Sequence, residues 1–600
     1  MIINALYQHY KTLLDDPDSG ISPPGFSRGR VSHCLVIDCE GKLVNIIDLR
    51  DTREGKLISR EMDVPEQKKR SSGISANFMC DNCVYVLGLR RSEKEKKHRI
   101  EECFRQFVQL HESVLENVED EGVAALLLFL QSWDNASAET HPVVSRYLKD
   151  LAEGGNLVFK LEGADGYLHE RDAIVEAWHR HRESQTSEVR AQCLVTGQAA
   201  RVAQLHPSIK GVTGAQSTGA SLVSFNLEAF TSYGKTQSFN APVSEEVAFA
   251  YTTALNYLLN SAKHRIRVGD TTVVFWAERS TGGLEEDLLG ALFFPDIEIE
   301  EDAGPKKGDS DRLVRDPQTV ILLRDIFERI KTGQPVADGL VGINKETRFY
   351  ILGLAPNAAR LAVRFWHADL YVKFINRIGQ HYSDMVIIKE YDRQPDFLSV
   401  TKILKETAPL KDTKRIAPLL GGALMRSILT GAPYPMTLYN SMLSRIRADQ
   451  DVNYTRVAVI KACLVRNRRF YNKESEVDIS MALNEENRNT GYLLGRLFAL
   501  LEKAQVDANP GINATIRDRY FGAASASPGS VFPILLRLVQ HHIAKAEYGR
   551  LIDKRIEEVI SLIDSFPAYL NLEDQGRFVL GYYQQRQALY TKSEKREDAQ

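Results

Sequence analysis

Residues 209–240 carry the sequence IKGVTGAQSTGASLVSFNLEAFTSYGKTQSFN. The glycines Gly211, Gly214 and Gly219 can adopt positive φ angles, which let a backbone approach a partner closely. The polar side chains among them include amides and hydroxyls, which suit phosphates or the edges of bases. This stretch therefore predicts a binding element between two apolar segments, with a polar surface loop as the alternative.

Part of this stretch comes close to a nucleotide-binding loop. Residues 214–221 read GAQSTGAS, which fits the pattern GxxxxGK[ST] except that Ala220 stands at the lysine position. Without that cation, nothing in the loop can pair with the terminal phosphates of a nucleotide. Nucleotide hydrolysis is therefore not expected, and the loop is interpreted as a contact for a polyanion.

Length and composition predict several domains in one soluble protein. The chain has 600 residues, of which 43% are hydrophobic and 26% charged. No window approaches the ~18 to 20 consecutive apolar residues that a membrane span needs. The N-terminus lacks the features of a secretory signal, so a cytoplasmic location is expected. The seven cysteines are irregularly spaced and predict neither a disulfide framework nor a zinc site.

Basic residues cluster although the formal net charge is −3. A run at 90–99 is interleaved with glutamates and is interpreted as a solvated helix face. Two clusters are less balanced by acidic neighbours: Lys68, Lys69 and Arg70, and Arg466, Arg468 and Arg469. Local patches rather than total charge govern attraction to nucleic acids. These clusters are therefore candidate contacts, with a solvated surface or a contact with a partner subunit as the alternative.

The pattern of hydrophobic residues predicts an α+β fold. Residues 31–50 read as a β-hairpin, Ser244 as the cap of a helix, and Pro356 as the start of another helix. From about residue 403 onward the pattern is almost wholly helical. We therefore predict a mixed N-terminal α/β region and a predominantly helical C-terminal half that ends in a bundle. The predicted divisions are 1–295, a linker at 296–312, a middle region at 313–480 and the bundle at 481–600.

The chain lacks the common catalytic motifs. It contains no HExxH, no GxSxG and no GxGxxG sequence. Carboxylates are plentiful, but a single sequence does not show which of them converge. The sequence therefore predicts no enzymatic activity, no bound metal and no cofactor.

Longer motifs, in a fixed order, point to a family. They are PPGFS at 23–27, RSSGISANF at 70–78, HPSIKGVTGAQSTGASLVSFN at 206–226, SYGKTQSFNAPVSEE at 232–246, VVFWAE at 273–278, LAPNAARLAVRFW at 354–366, ILTGAPYP at 428–435, RNTGYLLGRLFALLEKAQ at 488–505 and INATIRDRYFGAAS at 512–525. In these motifs and their order, the chain resembles the large, signature subunit of type I-C CRISPR Cascade surveillance complexes. The resemblance runs the full length of the chain.

The resemblance implies a non-catalytic subunit of an RNA-guided complex. Its partners would be the backbone subunits, the subunit that holds the crRNA 5′ end, a small subunit, target double-stranded DNA and a separate helicase-nuclease. In such complexes the guide RNA supplies sequence specificity, while protein reads a short protospacer-adjacent motif (PAM) and stabilises the displaced strand. Two alternatives stay open: a metal-dependent nuclease or crRNA-processing enzyme, and a purely structural scaffold.

The resemblance also places DNA contacts in the N-terminal region, where two turns have suitable side chains. The predicted contacts are Lys68, Lys69, Arg70, Ser71, Ser72 and Asn77 in one turn, and Gly214, Gln216, Ser217, Thr218, Ser221 and Asn226 in the other. Lysine and arginine would position phosphates, and amides would read a groove edge. Arg466, Arg468 and Arg469 are predicted to hold the displaced strand. The family further implies that a free small subunit begins internally, at Met481, for which an ordinary interior methionine is the alternative.

Overall fold

The computed structural model describes residues 2–53, 56–67, 70, 73–91, 95–185, 189–279, 282–295, 317–471 and 479–597. The chain forms two compact units. The first unit consists of residues 1–207 and 223–255, and the second of residues 208–222 and 256–600. The stretch at 209–240 is therefore divided, because its first part packs with the second unit and its remainder with the first.

The first unit is built on a five-stranded sheet. The strands of the unit are β1 (Phe26–Ile37), β2 (Leu43–Asp48), β3 (Asp51–Arg53), β4 (Lys56–Ile58), β5 (Arg60–Pro65), β6 (Asp81–Asn82), β7 (Asn156–Leu161), β8 (Arg190–Gln192) and β9 (Ala199–Arg201). The sheet has the order β2-β1-β7-β6, with β5 also paired to β1, while β3 pairs with β4 and β8 with β9 separately. Strand β1 is antiparallel to β2 and β5 and parallel to β7. The hairpin predicted at 31–50 is confirmed by the β1–β2 pairing.

Helices surround an aromatic core beside this sheet. They are α2 (Cys83–Val86), α3 (Lys97–Val114), α4 (Glu121–Ser132), α5 (Leu148–Glu153) and α6 (Asp172–Gln185), and α1 (Ile2–Leu14) precedes them in the chain. Phe107, Phe129, Phe159 and Trp178 are buried together in this core. Helix α7 (Glu245–Asn260) follows Ser244, whose hydroxyl accepts a hydrogen bond from the backbone N–H of Val247 at 3.3 Å. The predicted cap is thus confirmed.

The second unit contains an antiparallel sheet with the strand order β10-β11-β12-β13. The strands are β10 (Arg265–Val268), β11 (Thr271–Ala277), β12 (Arg348–Asn357) and β13 (Arg360–Leu370). The prediction of a helix starting at Pro356 is wrong, because Pro356 lies within β12 and the chain returns as β13, pairing Asn357 with Arg360. Cross-strand packing overrides the local helical pattern here.

The remainder of the second unit is helical. Its helices are α8 (Leu284–Leu292), α9 (Pro317–Thr332), α10 (Tyr371–Met385), α11 (Val400–Thr407), α12 (Leu420–Thr430), α13 (Met436–Asp449), α14 (Tyr454–Phe470), α15 (Thr490–Ala508), α16 (Ile516–Ala526), α17 (Pro528–Ile543), α18 (Gly549–Ile560) and α19 (Leu572–Glu597). Glycines let α15 and α19 approach closely, since a Cβ at Gly495 would collide with the backbone of Phe578 and Tyr582. None of the helices described is both long and apolar enough to cross a membrane.

The predicted fold class is confirmed: a mixed α/β N-terminal half is followed by a largely helical C-terminal part. One continuous hydrophobic core extends from the second sheet into the last helix. The boundaries proposed near 295, 312 and 480 stay predictions. The segment 296–312, interpreted as a linker, lies outside the described residues.

Candidate nucleic-acid interface

Residues 209–220 form a loop whose two ends are bonded to each other. The backbone N–H of Ile209 donates to the carbonyl of Ala220 at 2.9 Å, and the reverse bond measures 2.8 Å. Inside the loop, the Gly219 N–H donates to the Gln216 carbonyl at 2.9 Å. Gly219 has φ +94°, and a Cβ there would lie 2.9 Å from the Ile209 oxygen. Glycine is therefore required at this turn.

Three further hydrogen bonds attach the loop to the second unit. The Asn256 amide oxygen accepts from the Lys210 N–H at 2.8 Å, and the Thr272 hydroxyl accepts from the Thr213 N–H at 3.1 Å. At the end of the loop, the Ser221 N–H donates to a carbonyl in the turn between β12 and β13, at 3.0 Å. The backbone of the loop is thus held by strand and helix residues of its own unit.

The side chains at the tip of this loop are left available. Gln216, Ser217 and Thr218 are exposed. Within the described part of the chain, their side chains form no hydrogen bond with another residue. We call these three residues the loop tip. It presents one amide and two hydroxyls on a fixed backbone, so neutral donors and acceptors are offered to an external partner.

The other residues predicted for this site lie apart from the tip. Gly214 is exposed at a turn with φ +81°, beside the ring of Pro356. Ser221 is half-buried, and its backbone belongs to the base of the loop. Asn226 is exposed and belongs to the first unit. The structure therefore brings Gln216, Ser217 and Thr218 together and assigns Asn226 to a different unit.

Two described residues of the segment predicted as a turn at Lys68–Asn77, Arg70 and Asn77, bind one carboxylate. Asp81 receives both terminal nitrogens of Arg70, one of them at 2.8 Å, and the backbone N–H of Asn77 at 2.9 Å. The Arg70 guanidinium also lies 3.9 Å above the ring of Tyr85. Burial alone would lower the pKa of Arg70, but the hydrogen bonds and charge of Asp81 raise it. Arg70 is thus a permanently charged side chain that Asp81 and Tyr85 hold in a fixed position.

Asn77 has a structural environment rather than an exposed one. Its side chain is buried and donates to the Gln67 amide oxygen at 2.8 Å. Lys68, Lys69, Ser71 and Ser72 lie outside the described residues. The DNA contact predicted for this turn stays a prediction.

The cluster at 466–469 is folded inward onto Asp384 of α10. The Asp384 carboxylate accepts from Arg466 Nε at 3.1 Å and from Arg469 Nη2 at 2.6 Å. The Arg466 side chain is 1% exposed and the Arg469 side chain 35%. Arg468 is also buried. The cluster, which few acidic neighbours balance in the sequence, thus has an acidic partner in the fold, and its contact with a displaced strand stays a prediction.

A buried lysine adds to the charge of this cluster. Lys461 Nζ donates to the backbone carbonyl of Asp384 at 3.0 Å. Burial lowers the pKa of Lys461 to about 8. Arg466 also donates to the carbonyl of Ser427 at 3.0 Å and lies 4.1 Å above the ring of Tyr434. We call Asp384, Lys461, Arg466 and Arg469 the Asp384 cluster; its contacts connect α10, α12 and α14 inside the second unit.

Comparison with protein-family models assigns the chain to a family. The family described as CRISPR-associated protein (Cas_Csd1) matches residues 6–590. The chain belongs to the Cas_Csd1 family. This family is the large subunit of type I-C Cascade, so the resemblance seen in the sequence motifs is confirmed across nearly the whole chain. A comparison with curated proteins finds no match.

In this Cas_Csd1 chain, the stretch at 209–240 also presents exposed apolar side chains that were not among the predicted contact residues. Tyr233 is 98% exposed, with φ 52°, in a turn of the first unit. Leu227 and Phe230 precede it, and both are exposed. The available signal was the sequence SYGK, because serine and glycine favour a turn.

Metal ligands do not converge in the part of this Cas_Csd1 chain that the structure describes. No group of three or more histidine, cysteine, aspartate or glutamate side chains is placed to hold an ion there. The seven cysteines are free thiols, six of them buried.

Proposed function

We propose that this Cas_Csd1 chain recognises the PAM on duplex DNA and that the loop tip, Gln216, Ser217 and Thr218, reads it. The observation that carries the proposal is a contrast within the loop. Its backbone is held by hydrogen bonds, whereas the side chains at its tip are exposed and form no hydrogen bond among the described residues. A preorganised loop loses little conformational freedom on binding, so its contacts contribute more fully to affinity.

The chemistry of the tip favours reading bases over holding phosphates. It carries no charge, whereas phosphate contacts are usually made by lysine and arginine. An amide and two hydroxyls can match acceptors and donors in a groove, and in the minor groove that pattern separates A·T from G·C pairs. The exposed Lys210 at the base of the loop is suited to a neighbouring phosphate.

Further contacts belong to the same proposal. The turn at Lys68–Asn77 would add phosphate contacts, and the partly exposed Arg469 would meet the displaced strand. PAM recognition would lead to local unwinding and R-loop formation, in which the guide RNA pairs with the target strand. The subunit would act without catalytic activity and would help to recruit the helicase-nuclease.

Membership of the family supports the proposed partners. They are the backbone subunits, the subunit at the crRNA 5′ end, a small subunit and the target DNA. We also propose that the helical end, from Met481, is made separately as that small subunit. Met481 is 54% exposed, and its carbonyl accepts a hydrogen bond from the Ile388 N–H at 3.1 Å.

A randomised-PAM binding screen tests the assignment of the tip. Assembled Cascade with Gln216→Ala should bind a changed set of PAMs, and its affinity for the preferred parental PAM should fall about tenfold, since a well-placed amide contributes ~1 to 3 kcal/mol of discrimination. Gln8→Ala, which removes an exposed glutamine from α1, is the matched control and should keep the parental profile. A parental profile in both variants would remove the tip as the reader. PAM-independent binding by parental Cascade would instead favour a scaffold.

A further inference from the structure

The first unit contains a cavity of about 210 Å³ next to the ion pair of Arg70 and Asp81. Three arginines are among the residues that line it, Arg70, Arg91 and Arg99, together with one acidic residue, Glu95. Arg70 lies before β6, Arg91 lies in the segment that precedes α3, and Arg99 lies in the first turn of α3. Three separate segments thus bring like charges to one cavity, an arrangement that an anion would stabilise.

Two of these arginines have no acidic partner in the part of the chain that the structure describes. Neither Arg91 nor Arg99 forms a side-chain ion pair there, and both residues are exposed. The nearby Glu95 carboxylate accepts the backbone N–H of Arg91 at 2.9 Å and is held by it. The Arg91 guanidinium lies against Gly154, where a Cβ would be 2.8 Å from Nη2. The position of the Arg91 guanidinium therefore depends on the absence of a side chain at Gly154.

The guanidinium of Arg70 is held in place beside the same cavity. Its terminal nitrogens are bonded to Asp81 and its plane lies on Tyr85, which also lines the cavity. Its Nε is buried and has no hydrogen-bond partner among the described residues. Arg70 is thus already paired, and the cavity beside it is bordered by two cations, Arg91 and Arg99, that have no acidic partner among the described residues.

We propose that this cavity binds a phosphate group of a single nucleic acid strand. Guanidinium groups match the oxygens of a phosphate in a planar, charge-assisted geometry, and arginine keeps its charge at any physiological pH. The choice of a nucleic acid over free phosphate rests on the proposed function, whereas the presence of an anion site does not. The loop tip takes no part in it.

Fluorescence anisotropy with the full chain tests the cavity. The probes are ten-nucleotide single-stranded DNA and RNA of one sequence, which contain no duplex and hence no PAM. Arg91→Gln with Arg99→Gln should raise the Kd about tenfold and lower the dependence of log Kd on log salt by about 0.7, the value for one phosphate on a single strand. The matched control, Arg30→Gln with Arg105→Gln, removes two exposed arginines outside the cavity and should stay within about twofold.

A second variant separates the cavity from general electrostatics. A Cβ at Gly73, which also lines the cavity, would meet no atom within 4 Å. Gly73→Phe therefore adds a bulky side chain at the cavity lining without changing any charge and should reproduce the loss by obstructing the cavity, whereas Gly73→Ala should bind like the parent.

Three outcomes would overturn the proposal. The first is equal affinity for the arginine double variant and its control, and the second is parental binding by Gly73→Phe. The third is a double variant that keeps parental affinity for the single strands but no longer binds inorganic phosphate in calorimetry. Gln216→Ala should keep parental single-strand affinity, so a failure of PAM reading by the tip would be seen separately. Thermal unfolding of each variant establishes that a loss is local.

Discussion

The loop tip and the arginines of the Asp384 cluster differ in sequence and lie in opposite environments. Both are rich in hydrogen-bond donors, and both suggest contacts with nucleic acid. In the loop, backbone hydrogen bonds hold the frame while Gln216, Ser217 and Thr218 stay exposed. In the cluster, the guanidinium of Arg466 is buried on Asp384. Donor content alone therefore does not identify a binding surface; what matters is whether the donors already have partners inside the protein.

The difference also concerns stability. Removing a partner from a buried charge leaves that charge uncompensated, which strongly destabilises a fold. Exposed side chains without internal bonds can change with little effect on folding. The two regions should thus respond in opposite ways to substitution, with one governing stability and the other governing binding.

The largest effect is expected for Asp384→Ala. It would leave Arg466 and Arg469 without their carboxylate and should lower the free energy of unfolding by about 3 to 5 kcal/mol. Urea unfolding followed by circular dichroism measures this. The control is Asp396→Ala, whose carboxylate is 42% exposed and pairs with Lys331 and Lys389, and a change below about 1 kcal/mol is expected. Equal changes for the two variants would contradict the structural role of the cluster.

A smaller effect should come from the titration of Lys461. Burial lowers its pKa to about 8 in the folded chain, whereas an unfolded lysine titrates near ~10.4. Between these values the unfolded chain binds more protons, so stability from this group rises with pH and is lower below pH 8. From pH 8 to pH 9.5 the parent should gain about 2 kcal/mol more than Lys461→Met. Parallel pH profiles for the two proteins would show that Lys461 is not desolvated.

The smallest effect on stability is expected at the loop tip. Replacing Gln216, Ser217 and Thr218 together by alanine should change the free energy of unfolding by less than about 0.5 kcal/mol, because the side chains are exposed. Gly219→Ala is the positive control, and strain at its positive φ should destabilise the chain by about 1 to 3 kcal/mol. A large loss from the triple variant would place the tip, like the cluster, among the structural elements.

Local patterns in the sequence predicted much of the fold. The hairpin at 31–50, the Ser244 cap and the helical C-terminal part follow from side-chain periodicity and turn residues over short windows. The strand after Pro356 could not be predicted in this way, since pairing with β12 decides its conformation.

The candidate sites were predicted less completely, because they depend on distant contacts. The ion pair between Asp384 and Arg466 joins residues 82 positions apart. The run at 90–99 looked balanced by its glutamates, yet the Glu95 carboxylate is held by a backbone N–H. Net charge in a window does not show which acidic group meets which basic one. The loop tip, by contrast, was predictable, since glycine and small polar residues mark exposed turns.

The path of the chain has a consequence for how the loop forms during synthesis. Residues 208–222 lie between segments of the first unit but belong to the second. Their anchors include Thr272, and Leu361, whose N–H donates to the Ser221 carbonyl at 3.0 Å, lies later still. A growing chain therefore anchors this loop in steps, at Asn256, then at Thr272 and last at β13, and a fragment ending at residue 255 would lack all three anchors.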